Sequence, residues 1–398
     1  MLAKTIFLIY FVAFVNGYEG LEERSLPSDS GLDVRGLIEH YGYPFENYTV
    51  QTEDGYILEI DRIPYGRNSS GNNTRPPVLL VPGYFCSSAD WVNMGPEKSL
   101  GFILADKGYD VWLGNYRGTR WSRKHAWLNP DINRKAYWTY SFQQIGEYDL
   151  PAFIDHILTM TNQEKLFYIG HAQGTTSYFA LTSTRTQYND KIRLSINLSP
   201  IAYCSHMTSF LNLFAIFKIP IEIYLSLTQN YEFLRYQPYQ GTIAEIFCQD
   251  GAVTQGLCVA GYYLLGGYSP DQINKTRLPV ILTNTPAGTS NRQGQHYGQL
   301  ILTKKFQKYD YGIVENLKIY GQPTPPQYDL SKITAPLGLY VGDRDIYAKK
   351  EDTDQTAAEV SNLAVYRYIK GFSHLDVIWG IDAPSVVFND ILEQMGQY

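Results

Sequence analysis

The chain has 398 residues, 44% hydrophobic and 18% charged, which is enough to build a sizeable core and too apolar for a disordered protein. A formal net charge of −6 offers no basic surface to a nucleic-acid backbone, which excludes that class of partner. The 34 tyrosines follow no stripe or repeat and read as core and cleft lining.

At the N-terminus, Lys4 precedes an apolar run from Ile6 to Val15, followed by the small-residue site Val15-Asn16-Gly17. The run is shorter than the roughly 20 residues a membrane span needs and has the layout of a signal peptide over residues 1–17, cut after Gly17. Export would make glycan acceptors of the sequons at Asn47, Asn68, Asn72 and Asn274. A further sequon, Asn197, sits in Ile196-Asn197-Leu198-Ser199-Pro200, which reads as a buried strand end and is set aside. Cys86, Cys204, Cys248 and Cys258 suit an oxidising compartment and permit three pairings.

Tyr48 to Ile60 reads as two strands joined by a turn at Asp54-Gly55. Val78-Leu79-Leu80-Val81 is a short, wholly apolar run ending at Pro82-Gly83, the pattern of a central parallel strand. Pro96 to Leu104 is expected to be helical and closed by Gly108, with Tyr109–Asn115 the next strand. Alternation of strands and helices predicts a parallel sheet. Ile145 to Asp155 then enters a helix with Pro151 in its first turn.

Phe167-Tyr168-Ile169-Gly170-His171-Ala172-Gln173-Gly174-Thr175-Thr176 follows, an apolar run breaking into a glycine-bracketed turn. Its spacing is that of the G-x-S-x-G nucleophile elbow, but the apex is Ala172, whose methyl group cannot attack a carbonyl. More than a hundred residues between Ser199-Pro200 and Pro336 are too many for a connecting loop and should form a cap. Its opening stretch, Phe210 to Leu225, is apolar but broken by Asn212, Lys218 and Pro220, so that a buried cap helix and a lipid-facing lid are both open. The sheet is expected to resume at Ala335-Pro336-Leu337-Gly338-Leu339-Tyr340-Val341-Gly342.

The elbow, together with Asn115-Tyr116-Arg117-Gly118, Ser122-Arg123-Lys124-His125, His296-Tyr297-Gly298-Gln299 and Phe372-Ser373-His374-Leu375-Asp376, resembles the acid lipase family, the gastric and lysosomal type of α/β-hydrolase. The resemblance runs from about Tyr43 to about Ala383. It implies an α/β-hydrolase fold, with a mostly parallel central sheet flanked by helices and a large cap or lid insertion. The core would occupy 18–200 and 331–398, and the cap 201–330.

The same resemblance places the nucleophile at Ala172, where the family carries serine, the acid at Asp345 rather than Asp343, and the base at His374. Oxyanion donors would be the backbone amides of Tyr84 and Gln173, although Pro82-Gly83-Tyr84-Phe85 stands where the family usually has His-Gly-Leu-Leu. It also implies a Cys248–Cys258 disulfide, no cofactor and no metal. As substitute nucleophiles, Thr175, Ser177, Ser373 and Cys86 are the candidates. The expectation is a secreted or lysosomal (endomembrane-lumen) protein of lipid metabolism that binds an acyl lipid or another apolar ligand or offers its surface to a partner, touches lipid surfaces through its cap, and is catalytically inactive. The alternative is a working hydrolase of neutral lipid esters, and a third possibility is a storage protein with neither property.

Overall fold

Short apolar runs bounded by turn residues become strands when both of their faces can be buried. In the computed structural model, which describes residues 26–398 apart from 70, 72 and 73, the runs of this kind are β3 (Pro77–Val81), β4 (Asp110–Asn115), β6 (Leu166–His171) and β7 (Ile192–Leu198), preceded or interrupted by the less buried β1 (Glu46–Gln51), β2 (Tyr56–Ile63) and β5 (Lys124–His125). A long insertion carries the two-residue strands β8 (Glu232–Phe233) and β9 (Thr289–Ser290), and the main sheet ends with β10 (Leu337–Gly342) and β11 (Leu363–Ile369). The signal-peptide reading and the sequon at Asn72 lie outside the described residues.

The sheet runs β1-β2-β4-β3-β6-β7-β10-β11, with β5 added beside β2. β2 is antiparallel to β1 and β4, and every pairing from β4 to β11 is parallel. Parallel neighbours need crossovers. The helices Leu100–Asp106, Leu150–Thr161, Gln173–Thr184 and Lys350–Glu359 follow or precede these strands and flank the sheet. β3, β4, β6 and β10 are buried throughout, so the loops at their C-terminal ends sit on an immobile base.

One helix begins later than its sequence suggests. Pro96 to Ser99 is a turn after Gly95, which has φ +82°, and the helix opens at Leu100 behind Ser99. A serine is a better N-cap than interior residue, because its hydroxyl competes for nearby backbone groups.

The insertion between β7 and β10 contributes no strand to the main sheet. Helix Asn212–Ile216 packs on helix Asn291–Thr303 at Gly294 and Gly298, where a Cβ would fall 2.6 Å from the Phe214 ring and 2.9 Å from the Phe214 carbonyl carbon. Helix Gln240–Cys248 is joined to helix Gln255–Gly266 by the Cys248–Cys258 disulfide, as the resemblance implies. Cys86 and Cys204 are free, buried thiols. Of the sequons, Asn47 and Asn68 are exposed and Asn274 is half-buried, whereas Asn197 is buried in β7 with its amide donating to Ser195 Oγ at 2.6 Å.

Candidate active site

β6 ends at His171 and helix Gln173–Thr184 starts two residues later, leaving Ala172 to make the whole turn at φ +48°, ψ −113°. The bracketing glycines are explained by contact distances. A Cβ on Gly170 would lie 2.9 Å from the Gly174 carbonyl carbon, and one on Gly174 would lie 2.6 Å from the Val81 carbonyl oxygen. The turn is pinned by the Ala172 amide donating to Leu198 O at 3.0 Å, and by the Thr175 hydroxyl donating to Ala172 O at 2.6 Å.

After β10, Asp345 is buried and accepts the amides of Tyr347 at 2.8 Å and Ala348 at 3.0 Å. Its carboxylate oxygens lie 2.9 and 3.0 Å from Nδ1 of His374, which comes from the loop after β11. Burial would raise the Asp345 carboxyl, but its interaction and hydrogen bond with His374 and the hydrogen bond from the Tyr347 amide outweigh it and hold it below the usual 3.8. Asp343 is exposed and accepts the Gly371 amide, so it is Asp345 that meets the histidine. A carboxylate on Nδ1 leaves Nε2 as the working nitrogen of the ring. Nε2 has no hydrogen-bond partner among the described residues.

Two residues that the sequence reading left without a role position this histidine. His171 Nε2 donates to His374 O at 2.9 Å, and the Ser199 hydroxyl donates to the same carbonyl at 3.3 Å. Burial, and then the charge of His374, lower the His171 pKa to about 3, so its ring is neutral. No residue-type spacing announces such contacts, because each ends on a backbone oxygen. From the insertion, Gly266 O accepts the His374 amide at 2.9 Å and Tyr262 donates to Asp376 at 3.1 Å.

The Tyr84 amide has no acceptor among the described residues, and Gln173, as the first residue of its helix, has an amide with no intrahelical acceptor. Both residues line one cavity with Ala172 and His374. The Tyr84 loop is held by the Tyr116 hydroxyl on Gly83 O and by the Ala287 amide on Phe85 O at 2.7 Å. Phe85, Phe210, Leu211, Leu265, Leu375 and Trp379 make the cavity walls apolar. Its volume of about 60 Å³ is below the roughly 150 Å³ that admits a benzene, so a long acyl chain enters only if the insertion shifts.

None of the substitute nucleophiles hydrogen-bonds to His374 among the described residues. The Thr175 hydroxyl is used within its own turn, and those of Ser177 and Ser373 are buried without a hydrogen-bond partner. Cys86 lines the cavity, but burial and then the Asp90 carboxylate push its thiol well above the ordinary 9.0, which keeps it protonated and weakly nucleophilic. No group of side chains among the described residues could hold a metal ion.

This fold and this loop arrangement define an α/β-hydrolase of the lipase and esterase type. A model of the partial α/β-hydrolase lipase region matches residues 34–95, and one of the α/β-hydrolase fold matches 76–220. Gastric triacylglycerol lipase from Bos taurus is 37% identical over 371 residues, covering 93% of this chain and 92% of the relative. The human lysosomal acid lipase/cholesteryl ester hydrolase is 36% identical, with 93% and 92% covered. The chain therefore belongs to the acid lipase family. A soluble variant of the Saccharomyces cerevisiae monoglyceride lipase shares the fold at TM-score 0.53 and 13% identity, covering 96% of this chain and 98% of that one.

Proposed function

We propose that this chain is a secreted or lumenal protein of lipid metabolism that binds an acyl lipid above the elbow and does not hydrolyse it. The observation that carries the reading is the methyl group of Ala172 at the apex, facing an Asp345–His374 pair that is otherwise complete. Loss of the serine alone lowers kcat about 10⁶-fold in a serine hydrolase, because acid, base and nucleophile act as one unit. The retained apolar cavity supports a lipid ligand, and the free amides of Tyr84 and Gln173 support a carbonyl at its head.

The insertion would act as a cap that opens at lipid surfaces. Helix Lys218–Thr228 and the segment before it expose Leu213, Ile216, Phe217, Ile223, Tyr224 and Leu227, an apolar surface that is costly in water and stabilised by contact with lipid. No helix among the described residues is long and apolar enough to cross a membrane, so this contact would be superficial. Asn47, Asn68, Asn72 and Asn274 remain the proposed glycan acceptors.

The test is hydrolysis of a short and a long acyl ester by the secreted chain, by Ala172→Ser and by His374→Ala. Turnover by Ala172→Ser alone, at least about 10³-fold above the unmodified chain, is the expected result. An apolar ligand should also raise the Tm of the unmodified chain, since binding to the folded state alone stabilises it by mass action. Turnover by the unmodified chain that vanishes with His374→Ala would establish the active-hydrolase alternative instead.

A further inference from the structure

We propose that the ligand of this site is a free carboxylic acid with an apolar tail, held in preference to the corresponding ester, ketone or alcohol. The inference rests on the reading of the site as a silent lipid-binding cavity and names the chemistry of its head group.

The hydrogen-bond inventory of the cavity floor carries it. His171 Nε2 donates to a carbonyl, so the neutral ring leaves Nδ1 as a lone pair, and that Nδ1 is buried with no partner among the described residues. His374 Nδ1 donates to Asp345, and its Nε2, the nitrogen left to work, has no partner among the described residues. Gln173 is 1% exposed, and neither atom of its side-chain amide has a partner among the described residues. Buried polar groups left in this state are costly, and a group of them around one cavity indicates a ligand that completes them.

A serine at position 172 would supply the missing donor to His374 Nε2 from the protein itself. Ala172 does not, and its smaller side chain leaves the space of one oxygen atom. The head group must therefore bring a hydroxyl for His374 Nε2 and, on the same carbon, a carbonyl oxygen for the amides of Tyr84 and Gln173. An ester or ketone has the carbonyl without the hydroxyl, and an alcohol has the hydroxyl without the carbonyl. A carboxylic acid has both. If its proton passes to His374, the carboxylate faces an imidazolium already balanced by Asp345; the proton stays within the pair and total charge is unchanged. The second, unpartnered buried side chain, Gln173, can donate its Nε2 protons to the acid's oxygens.

Titration calorimetry of the full secreted chain with decanoic acid, methyl nonyl ketone and decyl alcohol tests this. The ketone keeps tail and carbonyl and replaces the hydroxyl by a methyl, and it cannot be hydrolysed. The acid should bind roughly tenfold or more tightly than either analogue, the effect of one charge-assisted hydrogen bond. In Ala172→Ser, whose own hydroxyl fills the oxygen site, and in His374→Phe, the ratio of acid to ketone affinity should fall to about twofold or less. Should His374→Phe not fold, Ala172→Ser alone decides. Equal binding of acid and ketone by the unmodified chain, or a preference that survives in Ala172→Ser, overturns the carboxylic-acid assignment and leaves lipid binding standing. Failure of all three ligands to bind overturns the lipid-binding reading itself.

Discussion

Ala172 keeps a backbone conformation whose usual purpose is to project a nucleophile, although its side chain has nothing to project. A non-glycine residue at φ +48°, ψ −113° lies outside the populated regions and costs on the order of 1–3 kcal/mol. The turn holds because β6, the Leu198 carbonyl and the Gly174 approach to Val81 leave no other path. Glycine at this position is relieved of the Cβ clash and loses only one methyl group. Ala172→Gly should therefore raise the unfolding free energy by about 1 kcal/mol, seen as a higher urea midpoint at unchanged slope. A lower midpoint would mean that packing of the methyl against Gly83 outweighs the strain.

Elements differ in how their glycines are spent, and this gives a paired prediction. Gly174→Ala puts a Cβ 2.6 Å from a backbone oxygen of β3, an atom that cannot rotate away, and should cost about 2–3 kcal/mol. Gly256→Ala, in helix Gln255–Gly266 with nothing within 4 Å of its Cβ, should instead gain up to about 1 kcal/mol from helix propensity. Thermal or urea unfolding of the two variants side by side reads both signs. The same contrast explains what the sequence made legible. β1, β2, β3, β4 and β6 and the elbow were readable, since buried strands are short apolar runs and close approach demands glycine at fixed spacing. β11 is an edge strand with only Val365 and Ile369 buried, so it has no continuous apolar run, and β5 has two residues, too few to carry a pattern. Asp345 and His374 could be placed only by resemblance, because 29 positions separate them and the fold alone brings them to 2.9 Å. His171 and Ser199 act through a backbone carbonyl and leave no trace in residue type.

Across the whole molecule, buried carboxyls and buried imidazoles oppose one another in setting how stability depends on pH. Burial raises Asp61 to about 6 and Asp90 to about 7, and neither has an ion-pair partner among the described residues. Burial lowers His171 and His296 to about 3. For the carboxyls, the folded chain keeps a proton that the unfolded chain releases near 3.8, so their contribution is complete below that value and lost as pH rises to about 6 and 7. For the imidazoles, the unfolded chain takes up a proton near 6.5 that the folded chain refuses, so their contribution is complete above 6.5 and lost as pH falls toward 3. Between about pH 4 and 6, the protons that these carboxyls, joined by Asp149 at about 6, keep on the folded side oppose the two that the imidazoles take up on the unfolded side. Asp90→Asn removes one of the folded-state protons and should make the slope of stability against pH about 1.4 kcal/mol per pH unit more positive than in the unmodified chain across that window. His296→Gln removes an unfolded-state proton and should make it more negative by about the same amount. Urea unfolding at three pH values reads the slope whatever the absolute stability of each variant. A slope in Asp90→Asn equal to that of the unmodified chain would mean that Asp90 gives up its proton in the folded state as readily as in water, and that the carboxylate oxygen without a partner at the junction of core and insertion is solvated after all.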